Sequence, residues 1–221
     1  MAKSKSVYVC SECGAQTPQW LGKCPQCGKF GTLVEEVAEI PAAKKEPKRE
    51  RSALSARPVP LNEVREEKFE RVSSGIAELD NVLGGGIVPG SLVLIGGDPG
   101  IGKRTLFKEG PAHLSRTQKV LYVSAEESCS QVKMRCSRLK LDSSNLLLLN
   151  ETCLEDIEEA ITDEKFVVID SIQAVYTSEL SSAAGSVGQV RECAGKLQRI
   201  AKGRGITFFI VGHVTKEGAL A

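Results

Sequence analysis

Gly96-Gly97-Asp98-Pro99-Gly100-Ile101-Gly102-Lys103-Arg104-Thr105 follows directly on the apolar run Ser91-Leu92-Val93-Leu94-Ile95, and the rest of the chain is read outward from this stretch. A short apolar, strand-forming run that stops in closely spaced glycines and then a lysine is what a phosphate-binding loop requires. Only glycine lets several backbone N–H groups curl inward onto one anion. Gly97, Gly102 and Lys103 fit the spacing G-x-x-x-x-G-K. The next position departs from the pattern, because Arg104 stands where a Ser or Thr hydroxyl would reach Mg²⁺. The other use of such a stretch is a plain glycine-rich turn between a strand and a helix.

Downstream, Val120-Leu121-Tyr122-Val123, Leu146-Leu147-Leu148-Leu149, Phe166-Val167-Val168-Ile169 and Thr207-Phe208-Phe209-Ile210-Val211 are apolar runs of strand length. Helical patterns lie between them at about 128–140, 154–161 and 186–202. Continuous apolar strands that alternate with helices predict an α/β fold with a mostly parallel sheet covered by helices on both faces. Upstream, Ile76, Leu79 and Leu83 recur three to four apart behind Ser73-Ser74-Gly75, which predicts a short helix that Gly84-Gly85-Gly86 terminates.

A nucleotide-hydrolysing site needs carboxylates near the loop, and two strands supply them. Phe166-Val167-Val168-Ile169-Asp170 ends in an acid suited to the Mg²⁺ shell, although an Asp there could also cap the next element. Ser124-Ala125-Glu126-Glu127-Ser128 ends the strand from Val120, and Glu126 is the candidate for orienting water. One of these glutamates could instead cap the helix at Ser128. All strands of a parallel sheet end on one rim, so both sets of acids can face the phosphate loop.

The first residues read differently. Cys10-Ser11-Glu12-Cys13 and Cys24-Pro25-Gln26-Cys27 form two C-x-x-C knuckles, each followed by a glycine that can turn tightly around a metal. Four thiolates at this spacing fill a closed tetrahedral Zn²⁺ site, with no ligand position left open for catalysis. A redox dithiol pair or a disulfide framework would use the same residue types. So short a segment cannot bury a sufficient core of its own, so metal binding would supply its folding free energy. The remaining cysteines, Cys129, Cys136, Cys153 and Cys193, have no ligand spacing and read as ordinary buried thiols.

Composition bounds the partners. Lys plus Arg number 29 against 28 Asp plus Glu, so nucleic acid would have to be held by local patches and not by overall charge. Met-Ala-Lys-Ser-Lys-Ser lacks the apolar core of a signal peptide, and no stretch approaches the roughly 18 apolar residues of a membrane span. The expectation is a cytoplasmic protein without a membrane partner. Residues 37–60 turn to Pro, Ala, Lys, Arg and Glu, a solvated tether or a basic contact to nucleic-acid phosphates. The expected division is a ribbon at 1–36, this linker, and a core at 61–221.

Taken together, Leu83-Gly84-Gly85-Gly86, Pro89-Gly90, the phosphate loop, Ser124-Ala125-Glu126-Glu127-Ser128, Val168-Ile169-Asp170-Ser171-Ile172-Gln173 and Gly212-His213-Val214-Thr215-Lys216-Glu217-Gly218, behind a four-Cys ribbon, resemble the bacterial RadA (Sms) family of RecA-like ATPases. The resemblance implies ATP and Mg²⁺ as cofactors beside structural zinc. It also implies a DNA-dependent ATPase of recombinational repair that binds single-stranded or branched DNA, promotes branch migration with a RecA-type recombinase and can assemble into a ring if the family's C-terminal part is present. By residue it implies Gly97 to Thr105 around the phosphates, with Lys103 on the β/γ-phosphates, Glu126 as catalytic carboxylate, Asp170 on Mg²⁺ and His213 as γ-phosphate sensor. His213 could equally be a strand-end histidine paired with a neighbour. Tyr176 to Ser186, followed by Gln189 and Arg191, would match a DNA-facing loop.

Three departures from the family stand out: Arg104, Pro111 inside the helix expected after the loop, and an end at Ala221 before the family's Lys-Asn-Arg-Phe-Gly motif and C-terminal domain. They predict impaired turnover and an incomplete core. The rival readings are a nucleotide- or DNA-binding module without turnover, and a non-enzymatic regulator that docks a partner through the ribbon.

Overall fold

The computed structural model describes residues 5–11, 14–38, 60–63, 70–97, 110–141 and 144–213. Two sheets organise them. In the first, β1 (Lys5–Cys10) lies between β2 (Gln16–Thr17) and β3 (Leu33–Ala38), both antiparallel to it. The buried apolar residues here are Cys10, Cys24 and Leu33, too few to hold a fold by apolar burial. Trp20, between the two Cys pairs, is 59% exposed and adds little to this core.

The second sheet is entirely parallel. Its strands are β4 (Leu92–Gly97), β5 (Val120–Ser124), β6 (Leu146–Leu149), β7 (Phe166–Asp170) and β8 (Thr207–His213), in the spatial order β4-β8-β7-β5-β6. Alternation along each strand divides the core in two. Leu121, Val123, Val167, Ile169, Phe208 and Ile210 point to one face and pack with α4 (Leu154–Ala160) and α5 (Val187–Arg204). Val120, Tyr122, Phe166, Val168, Phe209 and Val211 point to the other, against α3 (Cys129–Arg138) and Leu114 of α2, helical at residues 110–114. The inner strands β5, β7 and β8 are buried on both faces and have little use for polar residues, which is why they appear in the sequence as nearly unbroken apolar runs. The fold class is therefore the expected one.

The helix boundaries follow local chemistry. Ser128 and Gln131 close a reciprocal capping box on α3, so neither glutamate before it is the cap. At its other end α3 closes with two bonds, Leu141 N–H to the Cys136 carbonyl at 2.9 Å and Lys140 N–H to the Ser137 carbonyl at 3.0 Å. This arrangement puts Lys140 in the left-handed region at φ 54°, a position that normally takes glycine and costs another residue about 1 kcal/mol. The short α1 (Ala77–Val82) has no side-chain cap on its first N–H groups; instead Asp80 reaches back to accept from the Ser73 hydroxyl at 2.6 Å and the Ser74 N–H at 2.8 Å. The glycine run ends α1 as expected, with Gly85 and Gly86 N–H both bonded to the Asp80 carbonyl. Of the unpatterned cysteines, Cys136 and Cys193 are buried, whereas Cys129 and Cys153 are only partly so.

Candidate functional site

Parallel strands deliver their last residues to one rim: Gly97 from β4, Ser124 from β5, Asp170 from β7 and His213 from β8. Gly97 lies in register with His213, and Ser124 with Asp170. Asp170 is 6% exposed, and its Oδ2 accepts a 2.5 Å hydrogen bond from the Tyr122 hydroxyl, itself buried on β5. A buried carboxylate needs such donors, or a cation, to remain charged. The Asp170–Ser171 peptide bond is cis.

Glu126 stands just beyond β5. Its Oε1 accepts a hydrogen bond from the Ser171 hydroxyl and lies 3.2 Å from His213 Nε2, while its side chain keeps 30% of its surface open. Gln173 donates to the His213 carbonyl at 3.2 Å, which ties the end of β8 to the turn after β7. A solvent-facing carboxylate held by a hydroxyl and an imidazole, on the rim that carries Gly97, can orient a water molecule or accept its proton. Glu127 points elsewhere, pairing with Arg135 at 2.7 Å, and so braces α3. The pairing of His213 is with Glu126, so the strand-end pairing and the proposed site involve the same contact.

The sequence-predicted residues fall into two groups. Glu126, Asp170 and His213 come together with Gly97 on one rim. Asp98, Pro99, Gly100, Ile101, Gly102, Lys103, Arg104 and Thr105 lie outside the described residues. Tyr122, Ser171 and Gln173 were not singled out from sequence; the only available signal for Tyr122 was a hydroxyl-bearing residue in an otherwise apolar strand.

Of the residues expected to face DNA with the segment 176–186, one is placed otherwise. Gln189, grouped above with a DNA-facing loop, is fully buried. Its Oε1 accepts from the Thr177 N–H at 2.8 Å, and its Nε2 donates to the carbonyls of Thr177, Leu180 and Ser182. It shapes the loop from inside and cannot touch DNA, whereas Arg191 is exposed. Beside it Lys196 binds Glu155 at 2.8 Å and Glu179 at 2.9 Å, and Thr177 donates to Glu155 at 2.5 Å. Burial alone would raise the Glu155 carboxyl, but bonds from Lys196, Thr177 and Ser178 outweigh it and hold the group well below the ordinary carboxylate range.

This direction sets a pH window. A carboxyl depressed in the folded state stabilises fully above its unfolded value, near 4.5, and loses that contribution as pH falls through the folded value. Denaturation of the parent and of Glu155→Gln should show a stability gap that is constant from about pH 7 to 5.5 and narrows below about 4.5. A gap that widens in acid would contradict the assignment.

In the first sheet, Cys10, Cys24 and Cys27 bring their sulfurs within 4.8 Å of one another, with Cys10 and Cys24 buried. Cys13 lies outside the described residues. The Cys10–Cys27 sulfur separation is 3.7 Å. Zn–S bonds of about 2.3 Å in tetrahedral geometry place sulfurs about 3.8 Å apart, so the donor set fits zinc. Metal analysis should find about one zinc per chain and a loss of most of it in Cys24→Ser. Full retention by that variant would overturn the site.

Comparison with known proteins agrees with both parts. Residues 8–35 match the family described as a rubredoxin metal binding domain, and residues 56–219 match an AAA domain. DNA repair protein RadA of Halalkalibacterium halodurans is 50% identical over 224 residues, that of Bacillus subtilis 49% over 230 and that of Pseudomonas aeruginosa 48% over 223. Each alignment takes in all of this chain and 49% of the relative, so the chain spans about half the length of these proteins. Among solved structures, a KaiC-like protein from Pyrococcus horikoshii has a TM-score of 0.57 at 21% identity, covering 68% of this chain and 74% of that one, which speaks to fold alone. No helix among the described residues is long and apolar enough to cross a membrane.

Proposed function

We propose, from the premise that this chain belongs to the AAA-domain family and has the RadA proteins of DNA repair as relatives, that it is a nucleotide-binding ATPase core acting on DNA in recombinational repair. The supporting observation is the rim itself, where Glu126, hydrogen-bonded by Ser171 and His213, stands beside Asp170 and Gly97. In this reading the backbone from Gly97 to Gly102 and the Lys103 ammonium hold the phosphates of ATP. Asp170, fixed by Tyr122, takes the Mg²⁺ shell, and Mg²⁺ supplies charge neutralisation when bound. Glu126 orients the attacking water and His213 reports the γ-phosphate through the same carboxylate. The ribbon at 1–36 and the linker at 37–60 precede the core at 61–221, and binding of single-stranded or branched DNA, branch migration with a RecA-type recombinase and ring assembly belong to the same proposal.

ATP turnover measured with and without single-stranded DNA tests the reading. Stimulation by DNA supports it; turnover indifferent to DNA in both the parent and Arg104→Ser argues against it. A second reading, nucleotide binding without hydrolysis, is favoured by one observation, the arginine at position 104.

A further inference from the structure

A groove of about 240 Å³ opens near the ends of the strands opposite the rim just described, where α2 and α3 finish before β5 and β6 begin. His113, Arg116 and Lys140 line it, with Leu141 and Gly75 among its walls. All three basic side chains are exposed, and among the described residues neither Arg116 nor Lys140 has an ion-pair partner. The Asp80 carboxylate lies near His113 and is engaged by Ser73 and Ser74.

Two features show that the arrangement is held in place. Gly75, at φ 80°, lies so close to the His113 ring that a Cβ there would fall 2.2 Å from ring carbon Cγ, so the glycine admits the imidazole against the backbone. Lys140 occupies a left-handed position that glycine would fill at lower cost. Nor are the cations needed to satisfy the helix ends. The last carbonyls of α3 accept from Lys140 and Leu141 N–H, and those of α2 accept from Ser115, Arg116, Thr117 and Gln118 N–H.

We infer that this groove is a second anion site that binds phosphate groups, distinct from the phosphate loop and at the opposite ends of the strands. An arginine fork, an ammonium and an imidazole suit the oxygens of a polyphosphate or of a nucleic-acid backbone. The inference does not depend on the function proposed above.

The chain has two histidines, His113 in the groove and His213 on the far rim, so their ring C–H signals in NMR report the two places separately. The zinc-loaded full chain is titrated with inorganic pyrophosphate and, separately, with a short oligothymidylate. The His113 signals are expected to shift to saturation, and Arg116→Gln and Lys140→Gly are each expected to weaken that titration at least about fivefold. Lys140→Gly should at the same time raise the melting temperature by about 2–4 °C, which separates loss of binding from loss of structure. Saturation by pyrophosphate alone supports a site for free polyphosphate; saturation by the oligonucleotide, with affinity falling as salt rises, supports a contact to the nucleic-acid backbone. A response confined to His213 with both probes, or a His113 titration unchanged by both substitutions, would overturn the inference.

Discussion

Replacing Arg104 with serine is expected to raise ATP turnover about 100-fold while changing nucleotide affinity only a few-fold, the size of effect associated with one well-placed electrostatic group in a transition state. The backbone N–H groups from Gly97 to Gly102 and the Lys103 ammonium survive in this sequence, and they supply most of the ground-state attraction to phosphate. What is missing is an oxygen lone pair for Mg²⁺, which a guanidinium cannot offer. Thr105 is one residue late, about 100° further round a helix, so its hydroxyl is badly placed to substitute. The measurement is steady-state turnover beside equilibrium nucleotide binding, with Arg104→Ser and Arg104→Ser/Pro111→Ala compared against the parent. Equal turnover in all three would mean that other groups hold the metal.

Pro111 contributes less. It lies within the helical stretch 110–114, the Ser115 N–H bonds its carbonyl at 2.8 Å, and it lines a cavity of about 10 Å³ with Leu79, Ile95 and Phe209. The helix thus continues beyond the proline, with its ring used in packing. The carbonyl that a proline at 111 deprives of its N–H partner in a helix would be that of residue 107, which is outside the described residues. Alanine at 111 would return a hydrogen-bond donor but enlarge the cavity, so its added effect should be small.

Glu126→Gln in the Arg104→Ser background is expected to lower turnover by about 10²–10³-fold and leave nucleotide binding within a few-fold. The amide keeps the shape that Ser171 and His213 hold, and loses only the capacity to take a proton and the charge that orients water. Glu127→Gln is the control. Its partner is Arg135, on α3, so it should cost stability slightly and turnover hardly at all. Equal losses in the two variants would remove Glu126 from its assigned role.

Why some of this was readable beforehand is a matter of sequence distance. The phosphate-loop spacing, the Cys pairs and the unbroken apolar strands are local patterns, and local geometry makes them legible. Parallel pairing then brings Glu126, Asp170 and His213 to one rim without further information, since the ends of parallel strands share an edge. The fine contacts are another matter. Tyr122 reaches Asp170 across 48 residues and Ser171 reaches Glu126 across 45, and no periodicity encodes which hydroxyl meets which carboxylate. The burial of Gln189 is hidden from the sequence for the same reason: a polar residue at a helix start has an exposed pattern, and only the path of the preceding loop buries it.

That buried amide has a consequence for how the loop can vary. Gln189 grips main-chain groups at Thr177, Leu180 and Ser182, not loop side chains. Ser178, Ser181, Ala183 and Ala184 can therefore be exchanged for almost any residue while the loop keeps its path. A single inserted residue between Thr177 and Ser182 would throw the carbonyls out of step with the one amide that gathers them. The segment is in this sense a cassette of fixed length and free content, a place where surface chemistry can be rewritten by substitution but not by insertion.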